Sequence, residues 1–425
     1  MRTTAHRIHA DLLIPGLGDP VPEAALVLAD GRITYAGLRS EVPPPEPRET
    51  TWSVPVVMPG MWDCHTHFSG LVDVVSTERM MLTRSEVATA RSVADAAVVL
   101  RAGFTSVREL GGYGVYLAHV VNEGTVPGPS IYAAGRVIGQ TGGHSDAPSL
   151  PYEWATDPQR SSGMLHLADG VPECLRAVRL QLRVGAEVIK VCTSGGVISE
   201  LDHPAHRQFS PAELRAIVEE ADRADRVVAA HCHGRGAILA ALEAGCRTIE
   251  HGTELDEETA TAMRAADAIL VPTRTVFEGF LGQRDKLPPA ARGKLEELEA
   301  RHREAMAIAV TAGVRIALGT DLGTRASDSP LAWGRNGGEF GHLVAAGLSP
   351  LRAIEAGTAT GPLTLGRRGP RSGRLAEGYD ADVIALAASP LDDISVLARP
   401  DDITHVWKCG ALVKDPTENL GQRTT

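Results

Sequence analysis

Several features that would place this chain in other protein classes are missing from its sequence. Its six cysteines form no CxxC pair, which argues against a zinc site built from thiolates. No uninterrupted apolar run approaches the roughly 20 residues that a membrane-spanning helix needs. The formal net charge is −11 and no basic block offsets it, so we expect no binding to nucleic acid or to a membrane surface.

The N-terminal segment lacks the apolar core and cleavage site of a signal peptide. Together with cysteines that we interpret as reduced, this predicts a cytoplasmic protein. The 425 residues are long for one domain, so we expect one large and one small domain, and a homo-oligomer. A content of 43% hydrophobic and 22% charged residues is typical of a globular protein.

The middle of the chain alternates between strand-like and helix-like segments. Eight such strands predict a TIM-type (β/α)8 barrel, whose active site would lie at the C-terminal ends of the strands. An open, doubly wound sheet is the alternative, although it would not easily bring ligands from five strands to one point. The candidate strands are 54–61, 105–109, 130–135, 187–192, 227–233, 248–251, 269–272 and 315–319.

Both ends of the chain are rich in short strands. Near the N-terminus, Asp30-Gly31 lies between two apolar runs and predicts a β-hairpin. We expect these end segments to pack together as a small β-sandwich into which the barrel is inserted. The predicted units are residues 1–57 and 367–425 for the sandwich and 58–366 for the barrel. Residues 275–289 lack clear periodicity and predict a loop over the site.

Polar residues that can bind metal ions follow or end the apolar strands. Each has an ordinary explanation alone: a buried histidine, a lysine that reaches solvent, or an aspartate that caps a helix. Their joint placement favours a hydrolytic centre with two metal ions. The candidate ligands are His65, His67, Lys190, His231, His251 and Asp321.

Lys190 decides between one and two ions. A lysine amine is protonated at neutral pH and is a poor ligand. Reaction with CO2 would convert it to a carbamate, an anionic group with two oxygens that can bridge two divalent ions. Such ions bring the pKa of water to near 7, and Asp321 would accept its proton and return it to the departing amine. Zinc suits the imidazole-rich set, although manganese or cobalt could occupy it in vitro.

These residues resemble the amidohydrolase superfamily, which has HxH on the first strand, lysine on the fourth, histidines on the fifth and sixth, and aspartate on the eighth. The segments around Gly142-Gly143-His144, Ser194-Gly195-Gly196 and Glu250-His251-Gly252 are similar to the Xaa-Pro and Xaa-Arg carboxydipeptidase branch. That branch is often described as related to imidazolonepropionase and includes ochratoxin-hydrolysing amidases.

The resemblance implies a role for each residue. His65 and His67 would hold one ion with Asp321, and His231 and His251 would hold the second. Carbamylated Lys190 would bridge the two ions.

His144 and His233 would contact the substrate, with His144 also assigned to catalysis and to orienting a substrate carboxylate. Glu109 stands where many relatives have aspartate, and His233 stands where some relatives have tyrosine. Arg207, Arg274 and Arg325 follow strands and are further candidates for binding a carboxylate.

The expected function is a binuclear hydrolase of a C–N amide bond, in a dipeptide or an N-acyl amino acid with a free carboxylate. The alternatives are a hydrolase of cyclic amides or imidazolones, or a deaminase. Deaminases of the superfamily usually use one metal and lack the bridging lysine. A non-catalytic scaffold is the third possibility, but such relatives typically lose ligands.

Overall fold

The computed structural model describes residues 5–47, 49–72, 82–157, 164–199, 201–325 and 328–416. The strands are β1 (His6–Leu13), β2 (Val21–Ala29), β3 (Arg32–Leu38), β4 (Thr50–Pro59), β5 (Met61–Leu71), β6 (Phe104–Glu109), β7 (Ser130–Ala133), β8 (Val137–Gly139), β9 (Leu165–Leu167), β10 (Ile189–Cys192), β11 (Val228–Cys232), β12 (Thr248–His251), β13 (Ile269–Val271), β14 (Arg315–Ile316), β15 (Leu322–Thr324), β16 (Val383–Leu386), β17 (Ile403–Lys408) and β18 (Ala411–Lys414).

The helices that separate these strands are α1 (Ser85–Arg101), α2 (Gly114–Asn122), α3 (Tyr152–Thr156), α4 (Val171–Val184), α5 (Pro211–Asp222), α6 (Arg235–Ala244), α7 (Glu257–Ala265), α8 (Arg274–Leu281), α9 (Pro289–Thr311), α10 (Gly338–Ala345) and α11 (Pro350–Ala356). Local sequence explains their limits. Helix α5 begins with a capping box between Ser210 and Glu213, and α4 and α6 end at Gly185 and Gly245 in the left-handed conformation.

The central strands form two sheets in which every pairing is parallel. One has the order β14-β13-β12-β11-β10-β8-β9, and the other has the order β15-β5-β6-β7. Backbone hydrogen bonds also link the two sheets. Glu187 N, just before β10, donates to Ala133 O of β7, and Cys64 N of β5 donates to Leu318 O, just after β14, each at 2.8 Å. The α/β class with parallel strands is therefore confirmed.

Strands from both ends of the chain share a third sheet, with the order β18-β17-β16-β4-β1-β2-β3. Strand β4 pairs with β1 in parallel and with β16 in antiparallel orientation. The predicted hairpin is confirmed, since β2 and β3 are joined at Asp30 and Gly31, both with positive φ. The two-layer sandwich and the domain boundaries stay predictions.

The predicted strand 54–61 is wrong in its limits, because two strands meet there. Strand β4 ends at Pro59 in the terminal sheet, and β5 starts at Met61 in a parallel sheet. Between them, a Cβ atom on Gly60 would lie only 2.1 Å from Thr105 Oγ1. Glycine permits this close crossing, and it places the ligand-bearing strand directly after the terminal sheet.

Within the described ranges, no helix combines the length and the apolar character that a bilayer crossing requires. The six cysteines are free thiols, as expected, and all except Cys409 are buried. The cytoplasmic location and the homo-oligomer stay predictions.

Candidate metal centre

All six predicted ligands line one cavity of about 300 Å³ at the carboxyl ends of the parallel strands. Strand β5 carries two of them, and β10, β11 and β12 carry one each, while Asp321 lies immediately before β15. The ligands are His65, His67, Lys190, His231, His251 and Asp321. The six residues predicted from the sequence therefore lie together in the structure. Their binding of metal ions stays a prediction.

One half of the site is centred on the Asp321 carboxylate. Its Oδ1 atom lies 3.0 Å from His67 Nε2 and 3.6 Å from His65 Nε2. The Lys190 Nζ atom lies 3.4 Å from the same His65 nitrogen. These four side chains can bind a common ligand, because their polar atoms converge from β5, from β10 and from the residue just before β15.

The other half consists of three imidazoles. The ring centroids of His231 and His251 are 4.6 Å apart, as are those of His231 and His233. Among the described residues, two groups have ligand atoms within 4.8 Å of one another: His231 with His233 and His251, and His65 with His251 and Asp321. His251 belongs to both groups, whereas the resemblance implied that it serves only the second ion.

Hydrogen bonds to the Nδ1 atoms orient three of the rings. His65 Nδ1 lies 2.8 Å from Glu250 Oε2, and His67 Nδ1 lies 2.8 Å from the Gly111 carbonyl oxygen. His251 Nδ1 lies 2.7 Å from Thr273 Oγ1. A carbonyl oxygen only accepts, so the Nδ1 atom of His67 carries the hydrogen and its Nε2 is left to bind other groups.

His231 is oriented differently. Its Nε2 atom, rather than Nδ1, lies 3.3 Å from the carbonyl oxygen of Gly195. By the same reasoning, Nε2 carries the hydrogen and the Nδ1 atom of this ring is the one that can bind an ion.

Burial sets the protonation of the site. It lowers the pKa of His65 to about 4, with Lys190 acting in the same direction, and it holds the pKa of His231 and of His251 well below its ordinary value. Burial also lowers the pKa of the Lys190 amine. Burial alone would raise the pKa of Asp321, but His65 and His67 hold that pKa well below its ordinary value. His65, His231 and His251 are therefore neutral, as metal ligands must be. Burial would also lower the pKa of His67, but its hydrogen bond to Asp321 and the charge of that carboxylate raise it above its ordinary value.

A buried ion pair between Arg108 and Glu250 holds the ring of His65 in place. Arg108 donates to Glu250 Oε1 at 2.7 Å, to Cys64 O at 2.7 Å and to Thr248 Oγ1 at 2.9 Å. Burial would raise the pKa of Glu250, but Arg108 and His65 lower it to about 2. The pair fixes the carboxylate that receives the His65 ring.

Asp63 supports Asp321 in a similar way. Its carboxylate accepts from Thr320 N at 3.0 Å, from Thr320 Oγ1 at 2.6 Å and from Asn336 Nδ2 at 2.8 Å. It also accepts from the His65 main-chain N–H at 3.1 Å. Asp63 therefore ties the segment just before Asp321 to β5. Neither Asp63 nor Glu250 was predicted from the sequence as part of the site.

Three residues at the carboxyl ends of neighbouring strands have left-handed backbone conformations. The φ angles are 68° at His251, 54° at Thr273 and 60° at Asp321. Such angles are costly for residues other than glycine, by about 1–3 kcal/mol each, and they cluster at functional sites. Asp321 N donates to His65 O at 2.7 Å, which helps to hold this conformation.

The predicted substrate residues His144 and His233 also line the cavity. The His144 ring stacks on His231 with centroids 4.3 Å apart, and the His233 ring stacks on His251 at 4.8 Å. A Cβ atom on Gly196 would lie 2.0 Å from His144 Nδ1, so glycine makes room for the ring. Their placement agrees with contact to a substrate, and their roles stay predictions.

The predicted arginines do not line this cavity. Arg274 is buried and donates to Glu278 and Glu299, while Arg325 lies 3.5 Å from Asp95. The loop expected at residues 275–289 is wrong for its first half, since α8 covers Arg274–Leu281. Glu109 is buried against Gly112 and Gly114, outside the cavity lining.

Apolar side chains form most of the remaining wall. Phe277 of α8 faces His233 with ring centroids 6.1 Å apart and stacks on the buried His302 at 4.2 Å. Other apolar lining residues are Leu71, Val137, Met164, Leu165, Val197, Ile198, Val276, Phe280 and Leu295. The cavity therefore suits a ligand that places a polar group near the histidines and apolar groups elsewhere.

The profile of the amidohydrolase family matches residues 56–413, which include every residue of the site. The chain belongs to the amidohydrolase family. It is an enzyme, a hydrolase of carbon–nitrogen amide bonds. Ochratoxinase from Aspergillus niger is 44% identical over 96% of this chain and 86% of its own length.

Solved structures of other amidohydrolases agree. The crystal structure of A. niger ochratoxinase has a TM-score of 0.90 and 43% identity, covering 98% of this chain and 97% of its own. A prolidase complexed with N-methylphosphonate-L-proline has a TM-score of 0.88 and 31% identity over 97% of this amidohydrolase and 100% of that chain. A Xaa-Pro dipeptidase with bound methionine has a TM-score of 0.85 and 29% identity, covering 96% and 100% of the two chains.

The donor set of this amidohydrolase fits divalent metal ions. Four imidazoles, one carboxylate and one buried amine converge within one cavity, and imidazole with carboxylate is a set typical of zinc. The Nδ1 hydrogen bonds to Glu250, Gly111 and Thr273 are the supporting contacts that metal-binding histidines usually make.

Proposed function

We propose that this chain is a binuclear metal-dependent amidase whose substrate carries a free carboxylate, such as a dipeptide or an N-acyl amino acid. The convergence of His65, His251 and Asp321 at the strand ends is the observation that carries the proposal. The similarity to ochratoxinase, to a prolidase and to a Xaa-Pro dipeptidase supports the substrate class. We also propose that the two parallel sheets close into one (β/α)8 barrel, beside which the terminal strands form a sandwich.

Two divalent ions, with zinc as the favoured metal, would be held by the six predicted ligands. His65, His67 and Asp321 would hold one ion, and His231 and His251 the other. Lys190 would bridge them as a carbamate, and its burial supports this because a lowered amine pKa increases the neutral form that reacts with CO2. The ions would supply Lewis-acid activation of a water molecule and of the scissile carbonyl.

The chain's own residues would move the protons and place the substrate. Asp321 is ionised in its surroundings and can accept a proton from the attacking water. It would then return this proton to the amide nitrogen, which is a poor leaving group until protonated. His144 and His233 would contact groups beside the scissile bond, and the apolar wall around Phe277 would take an apolar side chain or acyl group.

A small substrate panel tests this function. We would compare an N-acyl amino acid bearing an apolar side chain, its C-terminal amide and a cyclic amide, and measure metal content by elemental analysis. We expect two ions per chain and a higher kcat/KM for the acid than for its amide. Equal kcat/KM for acid and amide would reject the free-carboxylate requirement, and hydrolysis of the cyclic amide alone would move the assignment to cyclic-amide hydrolases.

A further inference from the structure

The ring of His144 is held by a chain of side chains in the loop that follows β10. Its Nδ1 atom lies 3.2 Å from Ser199 Oγ. Ser199 Oγ in turn contacts Asp202 Oδ1 and lies 3.1 Å from the Gly196 carbonyl oxygen. Because the same ring stacks on His231, the chain connects this loop to a proposed metal ligand.

The surroundings of Asp202 determine which partner receives the Ser199 hydrogen. Gln208 Nε2 donates to Asp202 Oδ2 at 2.9 Å, and Lys294 Nζ lies 3.6 Å from Oδ1. A carboxylate among donors only accepts. The Ser199 hydrogen therefore goes to Asp202 or to the neighbouring carbonyl, and Ser199 Oγ must accept from Nδ1–H of His144.

Asp202 also reaches the main chain of His144. Gln208 donates to Asp202 with its amide nitrogen and accepts the His144 N–H with Oε1 at 3.2 Å. Gln208 is only 3% exposed, so Asp202 decides the orientation of its amide. A Cβ atom on Gly143 would lie 2.6 Å from Gln208 Oε1, and glycine there permits the approach. One carboxylate thus orients both the ring and the backbone of His144.

Lys294 of α9 binds the loop that follows β10. Its ammonium group donates to Ser199 O at 2.7 Å and to Gly196 O at 3.1 Å, and only 11% of its side chain is exposed. The first turns of α9 also line the cavity, through Ala291 and Leu295. The contact therefore fixes the loop relative to the cavity wall.

We propose that Ser199, Gln208 and Asp202 are positioning residues that hold His144 as its Nδ1–H tautomer. A neutral ring in this form has an unprotonated Nε2, which accepts hydrogen bonds and cannot donate one to a carboxylate. Resting on the proposed amidase function, we infer that His144 accepts the N–H of the scissile amide. The carboxylate is then bound by other groups, and secondary amides are hydrolysed faster than N-alkylated ones.

Nuclear magnetic resonance of the zinc-loaded protein, labelled with nitrogen-15 in its histidines, tests the tautomer without a substrate. The His144 signals are assigned by their loss in His144→Ala. We expect a protonated Nδ1 and an unprotonated Nε2, loss of this preference in Ser199→Ala and its return in Ser199→Thr. An Nε2–H tautomer or a doubly protonated ring in the wild-type protein would overturn the proposal.

Kinetics test the consequence for substrates. Ser199→Ala should lower kcat/KM for a secondary amide roughly 10-fold, the order expected when one positioning hydrogen bond is lost, with metal content unchanged. The loss should be smaller for the N-methylated analogue, and equal losses would reject contact with the amide N–H. Lys294→Met should behave like Ser199→Ala, whereas Lys286→Met, at an exposed lysine that donates to Gln283, is the matched control. If no amide is hydrolysed, the proposed function fails while the tautomer remains measurable.

Discussion

His251 Nδ1 lies 2.7 Å from Thr273 Oγ1, and both residues have left-handed φ angles. The same histidine–threonine contact occurs one strand earlier, where His233 Nδ1 lies 2.7 Å from Thr253 Oγ1. In each pair, a histidine at the end of one strand contacts a threonine that follows the next strand. The hydroxyl thereby holds the ring in one orientation toward the cavity.

Thr273→Val removes the hydroxyl beside His251 while keeping the side-chain shape. We expect metal affinity to fall roughly 10–100-fold, because a ligand histidine loses its orienting partner. Dialysis against a graded chelator, followed by metal analysis, measures this. Thr253→Val is the matched control, since His233 is outside the proposed ligand set and metal content should be retained. Equal losses in the two variants would mean that His233 is also a ligand.

Lys190→Ala should remove the bridge between the two ions and most of the activity. Short carboxylic acids supply two oxygens of the same kind, so they should restore part of the turnover. The carbamate itself should appear in the native mass of the wild-type protein as one added CO2. A fully loaded binuclear protein whose mass corresponds to an unmodified lysine would contradict the bridge.

Asp321→Asn keeps an oxygen that can bind a metal ion but cannot carry a proton. We expect at least one ion to remain and kcat to fall on the order of 10²–10⁴-fold, the usual contribution of a positioned general acid–base group. Metal analysis and steady-state kinetics on a good substrate measure the two effects separately. Turnover within a few-fold of wild type would rule out Asp321 as the proton shuttle.

Glu250→Gln should destabilise the metal-free protein. The pKa of Glu250 falls from 4.5 to about 2 on folding, which corresponds to about 3 kcal/mol of stability. Because the folded pKa is lowered, this stability is present above pH 4.5 and is lost as the pH falls through about 2. Urea unfolding should therefore separate variant and wild type by about 3 kcal/mol at pH 7 and less in acid.

Glu109→Gln is the control for that experiment. Burial raises the pKa of Glu109 to about 7, so ionisation of this carboxyl costs stability as the pH rises above 4.5. Replacement by a neutral amide should not reduce the free energy of unfolding at pH 7. A loss similar to that of Glu250→Gln would show that burial alone, and not the ion pair with Arg108, controls the effect.

The sequence was sufficient to predict which six residues meet in the cavity, because apolar strands that end in polar residues are unusual. His65 and His67 are two residues apart in β5, and both approach Asp321 as strand alternation requires. The same alternation misleads at β12. Glu250 and His251 are neighbours and should point to opposite faces, yet Glu250 contacts His65 and His251 lines the cavity. The φ of 68° at His251 departs from extended strand geometry, so the alternation does not apply there. A backbone angle of this kind has no local signal in the sequence.

One overlooked helix face and contacts between distant segments explain the other errors. Residues 275–289 were expected to form a loop, but Val276, Phe277 and Phe280 have the spacing of one helix face. Arg274 adds contacts that hold α8 in place, to Glu278 within the helix and to Glu299 of α9. The chain of Asp202, Ser199 and His144 joins residues from two loops. Such pairings depend on tertiary placement, so no window of sequence contains them.

The terminal sheet has a consequence for the order of assembly during synthesis. Strand β4 precedes the ligand-bearing β5 by one residue, but its partner β16 leaves the ribosome only after every proposed metal ligand has been made. Until β16 has been made, β4 therefore lacks the partner on that edge. Trp52 and Trp407, whose ring centroids lie 6.0 Å apart, come from the two ends of the chain, so their fluorescence can report when this edge is covered.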